Sequence, residues 1–417
     1  MTNQSAASRL AINGGPEAAG DLKIPDWPQI NEESYEYVRD CVESGAWCRL
    51  ESEATYAETL EDRYAELHDA EHAIAVSNGT VAIELALRMC GVEPGDEVIV
   101  PGYTFIATAS AVACVGAVPK IVDVNPRTCN IDPESVRNAV SDDTVGIVAV
   151  NFAGRPIDFD AVCDIADEHD LFLIEDSAQT HGSEWRGEKV GTIGDVGTFS
   201  FQASKAISGG EGGMVLTDDP VLAEQGELLH NIGREPGKPG YRHYVLSSNY
   251  RISEIQAALL CAQLEKFPAE FERRQEGAAA LRRGLESIEG IETQPTDERI
   301  TERGYANVTV TYDADAFGGL PKDVFIEALR AEGVPVGGGY GLPLTEQPAF
   351  AREHVRSLVP DGADLPLYRA QSLPGTEEVI ATRISFSHRY LLADPADLRA
   401  IPRAIEKIQD NVDELEW

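Results

Sequence analysis

Lys205 stands between two kinds of structural signal that together leave a primary amine at a strand end. Ahead of it, Gly197-Thr198-Phe199-Ser200-Phe201 alternates small or polar residues with aromatics and reads as a short strand carrying a hydroxyl at Ser200. Behind it, Gly209, Gly210, Gly212 and Gly213 predict a tight turn with exposed backbone before the apolar strand Met214-Val215-Leu216. The chain holds eight lysines against 26 arginines, so a lysine in this place is a candidate for covalent chemistry.

Three other stretches carry groups that such an amine would need. Ser77-Asn78-Gly79-Thr80 falls between a predicted strand and a predicted helix, so the amides of Gly79 and Thr80 start a helix, where dipole and free N–H groups favour a phosphate; the alternative is a simple strand-to-helix turn. Thr104-Phe105 follows a strand ending at Pro101 and puts an aromatic at the carboxyl edge of a sheet, either against a flat heterocycle or in the core. Glu175-Asp176-Ser177-Ala178-Gln179 ends another apolar strand; a carboxylate there is a solvated strand end or the partner of a cationic ring nitrogen. His181-Gly182 reads as structural or as a helper. Together the pieces describe phosphate at the 79–80 helix start and Ser200, a ring against Phe105, a ring nitrogen at Asp176 and an aldehyde on Lys205. Those are the needs of pyridoxal 5′-phosphate (PLP). A G-x-G-x-x-G fingerprint is absent, and the run from Gly233 to Lys238 has the wrong spacing for a P-loop, which weakens a nucleotide-binding reading.

The elements that must position these groups alternate. Short apolar runs at 73–76, 97–100, 119–124, 145–151, 171–175, 197–201 and 213–217 read as seven strands of a mostly parallel sheet, with helices at 80–90, 106–115, 133–140 and 158–168 covering both faces. Asp132-Pro133 is a cap followed by a first helical residue. Two amphipathic helices, 31–44 and 54–67, come first, and a long helical region, 252–288, leads out of the α/β body. Beyond it a strand at 307–312, a helix at 321–331, a glycine cluster at 337–339, a strand at 383–387 and a helix at 395–412 make a smaller α+β unit. The expected division is an N-terminal arm, 1–30, a large domain, 31–270, and a small domain, 271–417.

Composition limits the partners. With 71 acidic and 34 basic residues the net charge is −37, which argues against nucleic acid or an anionic membrane and reads as adaptation to high salt, where screening removes most of the self-repulsion. Seven cysteines without CxxC spacing or nearby histidine pairs predict reduced, mostly buried thiols rather than disulfides or zinc. No run approaches a membrane span, and MTNQSAASRL lacks a signal-peptide layout, so a cytoplasmic location is expected.

The segments SNGTVAIELAL, PGYTFIATASAV, IEDSAQTHG, GTFSFQASKAISGGEGGMV and SSNYRISEIQAAL resemble the DegT/StrS family of sugar aminotransferases, with the likeness running from Leu10-Ala-Ile-Asn-Gly-Gly15 to the C-terminal helix. The resemblance implies the PLP-dependent transferase fold of type I, the aspartate-aminotransferase class. It implies that Lys205 joins the cofactor aldehyde, Asp176 meets the pyridine nitrogen, Gly79, Thr80 and Ser200 hold phosphate, Phe105 stacks on the ring and Gln179 lies near the ring hydroxyl. Asn249 matches a residue that in the family reaches the phosphate of a neighbouring subunit, which implies a homodimer with shared sites. The implied reaction moves an amine from glutamate or glutamine to a keto sugar, expected to be nucleotide-linked, or to a keto-cyclitol, with ping-pong kinetics and Lys205 carrying the proton. Two departures stand out: Ser247-Ser248-Asn249 replaces Gly-Tyr-Asn, and Val336-Gly-Gly-Gly-Tyr-Gly-Leu-Pro-Leu344 replaces a histidine motif and is similar to the branch acting on inososes. Arg234 and Arg251 are carboxylate or phosphate contacts or surface ion pairs. The rivals are a PLP dehydratase of the same fold, against which a lysine at 205 argues, a non-catalytic PLP-binding regulatory protein, and an unrelated α/β nucleotide binder.

Overall fold

The computed structural model describes residues 9–51, 54–235 and 241–417. Residues 1–8 of the expected arm and part of the Gly233 to Lys238 run lie outside the described residues.

Two helices, α1 (Glu32–Ser44) and α2 (Tyr56–Leu67), precede the sheet. Then strands and helices alternate: β1 (His72–Val76), α3 (Gly79–Met89), β2 (Glu97–Pro101), α4 (Ala107–Cys114), β3 (Val118–Val122), α5 (Pro133–Ala139), β4 (Thr144–Val150), α6 (Phe159–His169) and β5 (Phe172–Asp176). A short ribbon, β6 (Glu184–Trp185) and β7 (Glu188–Lys189), interrupts before β8 (Val196–Ser200), β9 (Gly213–Thr217) and α7 (Pro220–His230). The central sheet has seven strands in the order β1-β9-β8-β5-β4-β2-β3. β9 alone runs against its neighbours, pairing antiparallel with both β1 and β8, because the turn after Lys205 sends the chain straight back. The other six strands are co-directional, so they end on one edge. This is the expected mostly parallel sheet of the type I fold.

The strands read as continuous apolar runs because both faces are covered. Ile174, Val98, Val100, Val148 and Val215 pack toward α3 and α4, while Ile99, Ile147, Ala149 and Leu173 pack toward α5 and α6. Each of these Val, Leu and Ile side chains, buried fully, contributes about 1.5–3 kcal/mol. Side chains close the helix starts: Asn78, Asp132, Asp158 and Asp219 each accept a backbone N–H from the first turn of α3, α5, α6 and α7. The Asp219-Pro220 start of α7 carries the same cap-and-proline signal as Asp132-Pro133, yet sequence reading left that helix out.

α8 (Glu254–Leu285) crosses from the large sheet to a second core around the sheet β10-β12-β13. The strands are β10 (Ile291–Thr293), β12 (Asn307–Tyr312) and β13 (Arg383–Ser387); β11 (Ile300–Glu302) instead joins the β6–β7 ribbon. α9 (Lys322–Ala331) and α12 (Ala400–Gln409) cover this core. α12 starts later and ends earlier than the 395–412 expected, its place taken at either end by short 3-10 turns. Between α9 and β13, α10 (Arg352–Arg356), α11 (Pro374–Thr382) and their flanking turns return to the large body: Leu344, Phe350, Val355, Val359, Leu365, Tyr368 and Leu373 bury against the α3–α4 side. Among the described residues no helix is long and apolar enough to cross a membrane.

Candidate active site

The shared carboxyl edge of the co-directional strands gathers the chemistry. β1 runs into the N-terminus of α3 at Gly79, β2 into Thr104-Phe105, β5 ends on Asp176, and β8 ends on Ser200 just ahead of the Lys205 turn. These residues line one cavity of about 620 Å³, with Gly79, Thr80, Phe105, Asp176, Gln179, Ser200 and Lys205 all on its wall. Strand alternation separates the two carboxylates of β5. Glu175 turns away and accepts the amides of Gly191 (2.7 Å), Ile193 (2.8 Å) and Gly194 (2.7 Å), so it ties down a buried turn. Asp176 faces the cavity and accepts the Thr108 hydroxyl on Oδ2 at 2.7 Å.

The phosphate-sized corner is built by close approach. A Cβ at Gly79 would sit 2.6 Å from Cβ and 3.0 Å from Oγ of Ser200, so only glycine lets the start of α3 meet the end of β8. The Asn78 side chain accepts the Val81 amide at 3.1 Å, and among the described residues the amides of Gly79 and Thr80 donate to no protein group. A helix start with two free amides beside a hydroxyl suits a dianion.

Burial and mutual charge tune the reactive pair. Burial lowers the Lys205 amine below its ordinary range, and the nearby Asp176 opposes that shift. For Asp176, burial raises the carboxyl, while the Thr108 hydrogen bond, the Lys205 charge and the Ala178 amide pull it back down. Lys205 is the single cation lining the cavity among the described residues.

Phe105 is 57% exposed, so it is no core residue but a ring presented at the cavity mouth. The Gln179 Oε1 accepts the Ala153 amide at 2.9 Å, which fixes that side chain against the wall. His181 is buried behind the site, its Nδ1 2.8 Å from the Tyr64 hydroxyl and its ring stacked on Phe201 at 5.8 Å, a structural place. Asn249 stands apart: it is exposed, bridges to Asn231, accepts the Arg251 amide at 3.2 Å and does not line this cavity. Arg251 donates to Asn231 Oδ1 at 2.8 Å and Arg234 lies over the Tyr241 ring at 5.0 Å; neither reaches the cavity.

The fold adds residues that sequence reading did not single out. Thr108, in the first turn of α4, sets its hydroxyl 3.2 Å from that of Thr104, the residue already read beside Phe105, and Glu211 comes from the glycine turn. Tyr340 arrives from the 337–339 glycine cluster. Gly339 has φ +76 and its absent Cβ would lie 2.2 Å from the Tyr103 hydroxyl, so glycine there is what lets the loop lean onto the large body. Burial pushes the Tyr340 hydroxyl up to about 12, with the Asp176 charge adding to the shift and Gln179 opposing it. That hydroxyl stays protonated and able to donate. The glycine cluster before a lone tyrosine was the available signal; its reach across the chain was not.

A second cavity, about 640 Å³, is lined by Glu58, Glu61, Glu224 and Glu227 around Arg49 and contains none of the predicted residues. Among the described residues no cluster of metal-ligating side chains exists.

The free helix-start amides, the Gly79–Ser200 approach, a buried amine and a facing carboxylate fit PLP. Comparison with known proteins agrees. The model of the DegT/DnrJ/EryC1/StrS aminotransferase family matches residues 28–385. The L-glutamine:2-deoxy-scyllo-inosose aminotransferase of Micromonospora echinospora is 36% identical over 97% of this chain and 99% of its own. The L-glutamine:scyllo-inosose aminotransferase of Streptomyces griseus is 35% identical over 98% and 99%. Among solved structures, 3-amino-5-hydroxybenzoic acid synthase superposes with a TM-score of 0.82 at 31% identity, covering 94% of this chain and all of that one. The chain therefore belongs to the DegT/DnrJ/EryC1/StrS family of aminotransferases and works with pyridoxal 5′-phosphate.

Proposed function

We propose that this aminotransferase moves the amino group of glutamine to the ketone of a free cyclitol of the inosose type, in two half-reactions of ping-pong form. The observation that carries the reading is the cavity wall itself: Lys205 is its single cation among the described residues, and the other polar groups on it are the carboxylates of Asp176 and Glu211 and uncharged amides and hydroxyls such as those of Gln179, Gln202, Thr80, Ser204 and Tyr340. The diphosphate of a nucleotide-linked sugar needs cationic partners to offset its desolvation, whereas an uncharged polyol needs only donors and acceptors. The relatives named for glutamine and inososes support the same donor and acceptor.

In this reading Gly79, Thr80 and Ser200 hold the cofactor phosphate, Asp176 meets the ring nitrogen, Phe105 covers a ring face and Gln179 lies beside the ring hydroxyl. PLP, joined to Lys205, supplies an electron sink at the donor α-carbon and carries the amine between half-reactions. The Lys205 Nζ, set free when the donor amine takes its place, would take the α-proton and pass it on, so that the donor leaves as its 2-oxo acid. Its lowered basicity leaves more of it as free amine near neutral pH. Asp176, whose upward shift on burial is opposed by the Thr108 hydroxyl and by the cation it faces, is placed to hold a proton on the ring nitrogen. Tyr340 donates to an acceptor hydroxyl from the opposite wall.

The wider calls follow. A homodimer with shared sites is supported by Asn249 lying outside its own cavity beside the exposed Tyr241, Tyr244 and Leu246. Seven unpaired cysteines fit a reducing cytoplasm, and the net charge of −37 fits high internal salt and the absence of nucleic-acid or membrane partners. The division at about residue 270 falls inside α8, close to its internal Pro268.

The test is a panel of free inososes and nucleotide-linked keto sugars with glutamine or glutamate, read by release of the 2-oxo acid. Turnover of free inososes with glutamine is expected. Turnover of nucleotide-linked sugars alone would replace the cyclitol reading. A protein whose cofactor band stays unchanged on adding either amino acid would end the donor assignment.

A further inference from the structure

Two side chains from distant parts of the chain hold the backbone that carries Lys205. The Trp27 indole Nε1 donates to the Ala203 carbonyl at 3.1 Å, and His388 Nε2 lies 3.1 Å from the Ser204 carbonyl. These are the two carbonyls immediately before the lysine. The N–H side of the same turn is held by its own groups: Lys205 to the Gln202 carbonyl (2.8 Å), Ala203 to the Gly210 carbonyl (3.0 Å) and Ser204 to Gln202 Oε1 (2.9 Å). The carbonyl side therefore depends on Trp27, from the N-terminal arm, and on His388, at the end of β13.

The two prongs brace each other. Their rings meet edge to face with centroids 4.7 Å apart and planes at 89°. The Arg274 guanidinium sits 5.3 Å from the Trp27 ring centre and donates to Glu270 at 2.9 Å, so α8 backs the pair. His388 is 1% exposed, and burial together with Arg274 lowers it to about 3, which keeps the imidazole neutral. A neutral ring facing a carbonyl through Nε2 carries its proton there, leaving Nδ1 without a partner among the described residues. That makes it a directed donor rather than a charge.

We propose that Trp27 and His388 are positioning residues that set the orientation of Lys205 for proton transfer, so that the arm and the small sheet together hold the reactive amine in place. The proposal rests on Lys205 being the cofactor lysine. A lysine that is released and re-bound in every half-reaction has to return to the same point, and the two carbonyls just before it are held from outside the turn, by Trp27 and His388.

The experiment uses the full-length holoenzyme and four variants. Lys205→Arg reports on the site reading: it should lose the visible band that borohydride fixes to the protein. His388→Ala and Trp27→Phe should each lower kcat about 10- to 100-fold while KM for glutamine stays within about threefold, the cost of a small misplacement of a reacting group. In cofactor-free protein the rate at which acetic anhydride labels Lys205, read by peptide mass spectrometry, should change at least about threefold in both, as its pose and environment change. His388→Gln, which keeps an N–H near the Nε2 position, should recover most of both. Retention of the fixed band in Lys205→Arg would overturn the site reading and the clamp with it. Loss of that band, together with wild-type kcat and labelling in His388→Ala and Trp27→Phe, would overturn the clamp alone. So would a His388→Gln variant that falls as far as His388→Ala in step with its loss of melting temperature, since that is packing and not positioning.

Discussion

Thr108 Oγ1 donates a hydrogen bond to Asp176 Oδ2 at 2.7 Å, from the first turn of α4 to the end of β5. The bond offsets part of the burial that raises the Asp176 carboxyl. In Thr108→Val the shape survives and the donor is lost. A hydrogen bond to a charged group contributes about 1.5–3 kcal/mol, so kcat/KM is expected to fall about 10- to 100-fold with the fold intact. Asp176→Asn should lose more. Steady-state kinetics beside a thermal melt check this, and wild-type kinetics in Thr108→Val would detach the threonine from the chemistry.

Gly79→Ala places a methyl 2.6 Å from the Ser200 Cβ, in the corner assigned to phosphate. Relieving that overlap costs about 1–3 kcal/mol of stability, and cofactor affinity is expected to drop at least tenfold as α3 moves off β8. Fluorescence titration of cofactor-free protein with PLP gives the affinity. Tight binding in the variant would place the phosphate elsewhere.

Tyr340→Phe removes a hydroxyl that burial keeps protonated and leaves the ring against Tyr103, 5.3 Å away. The acceptor half-reaction should weaken by about 3- to 10-fold, the worth of one neutral hydrogen bond, with the glutamine half-reaction changed less. Single-turnover measurements of each half-reaction separate them. An equal loss in both would make Tyr340 a general wall residue.

His68 is fully buried, with Nδ1 3.0 Å from the Val190 carbonyl, and burial lowers it from 6.5 to about 3. Between those values the unfolded chain binds a proton that the folded chain does not. Stability is therefore complete above about pH 6.5 and is lost as pH falls toward 3, by about 1.4 kcal/mol per pH unit for each such group. Urea unfolding at pH 5, 6, 7 and 8 should show this slope, and His68→Gln should lessen it by about one proton while lowering stability throughout. An unchanged slope in the variant would assign the acid sensitivity to other groups, His181 first among them.

Much of this fold was legible in one dimension because its signals are local. The apolar runs of β2, β4, β5 and β9 mark strands covered on both faces, and the Asn78 and Asp132 caps mark helix starts. The Asp219-Pro220 start of α7 is a signal of the same local kind. The return of residues 344–373 to the large body was not legible, since the apolar pattern of Leu344, Phe350 and Val355 says that they are buried but not against which sheet.

For the site, the inventory was readable from the chain alone: an isolated lysine before a glycine turn, a carboxylate at a strand end, a serine, and a helix start built on Asn78-Gly79-Thr80. Residue type and spacing suffice for that, because strand ends and helix starts are local events. Which of these groups share a cavity is settled in three dimensions. Glu175 and Asp176 are neighbours, and it is the pleat of β5 in its register with β4 and β8 that sends one to three amides of a buried turn and the other to Thr108 and Lys205. Thr108, Tyr340, Trp27 and His388 reach the site from four separate elements, through contacts set by packing between distant segments. Spacing along the chain carries no record of such contacts.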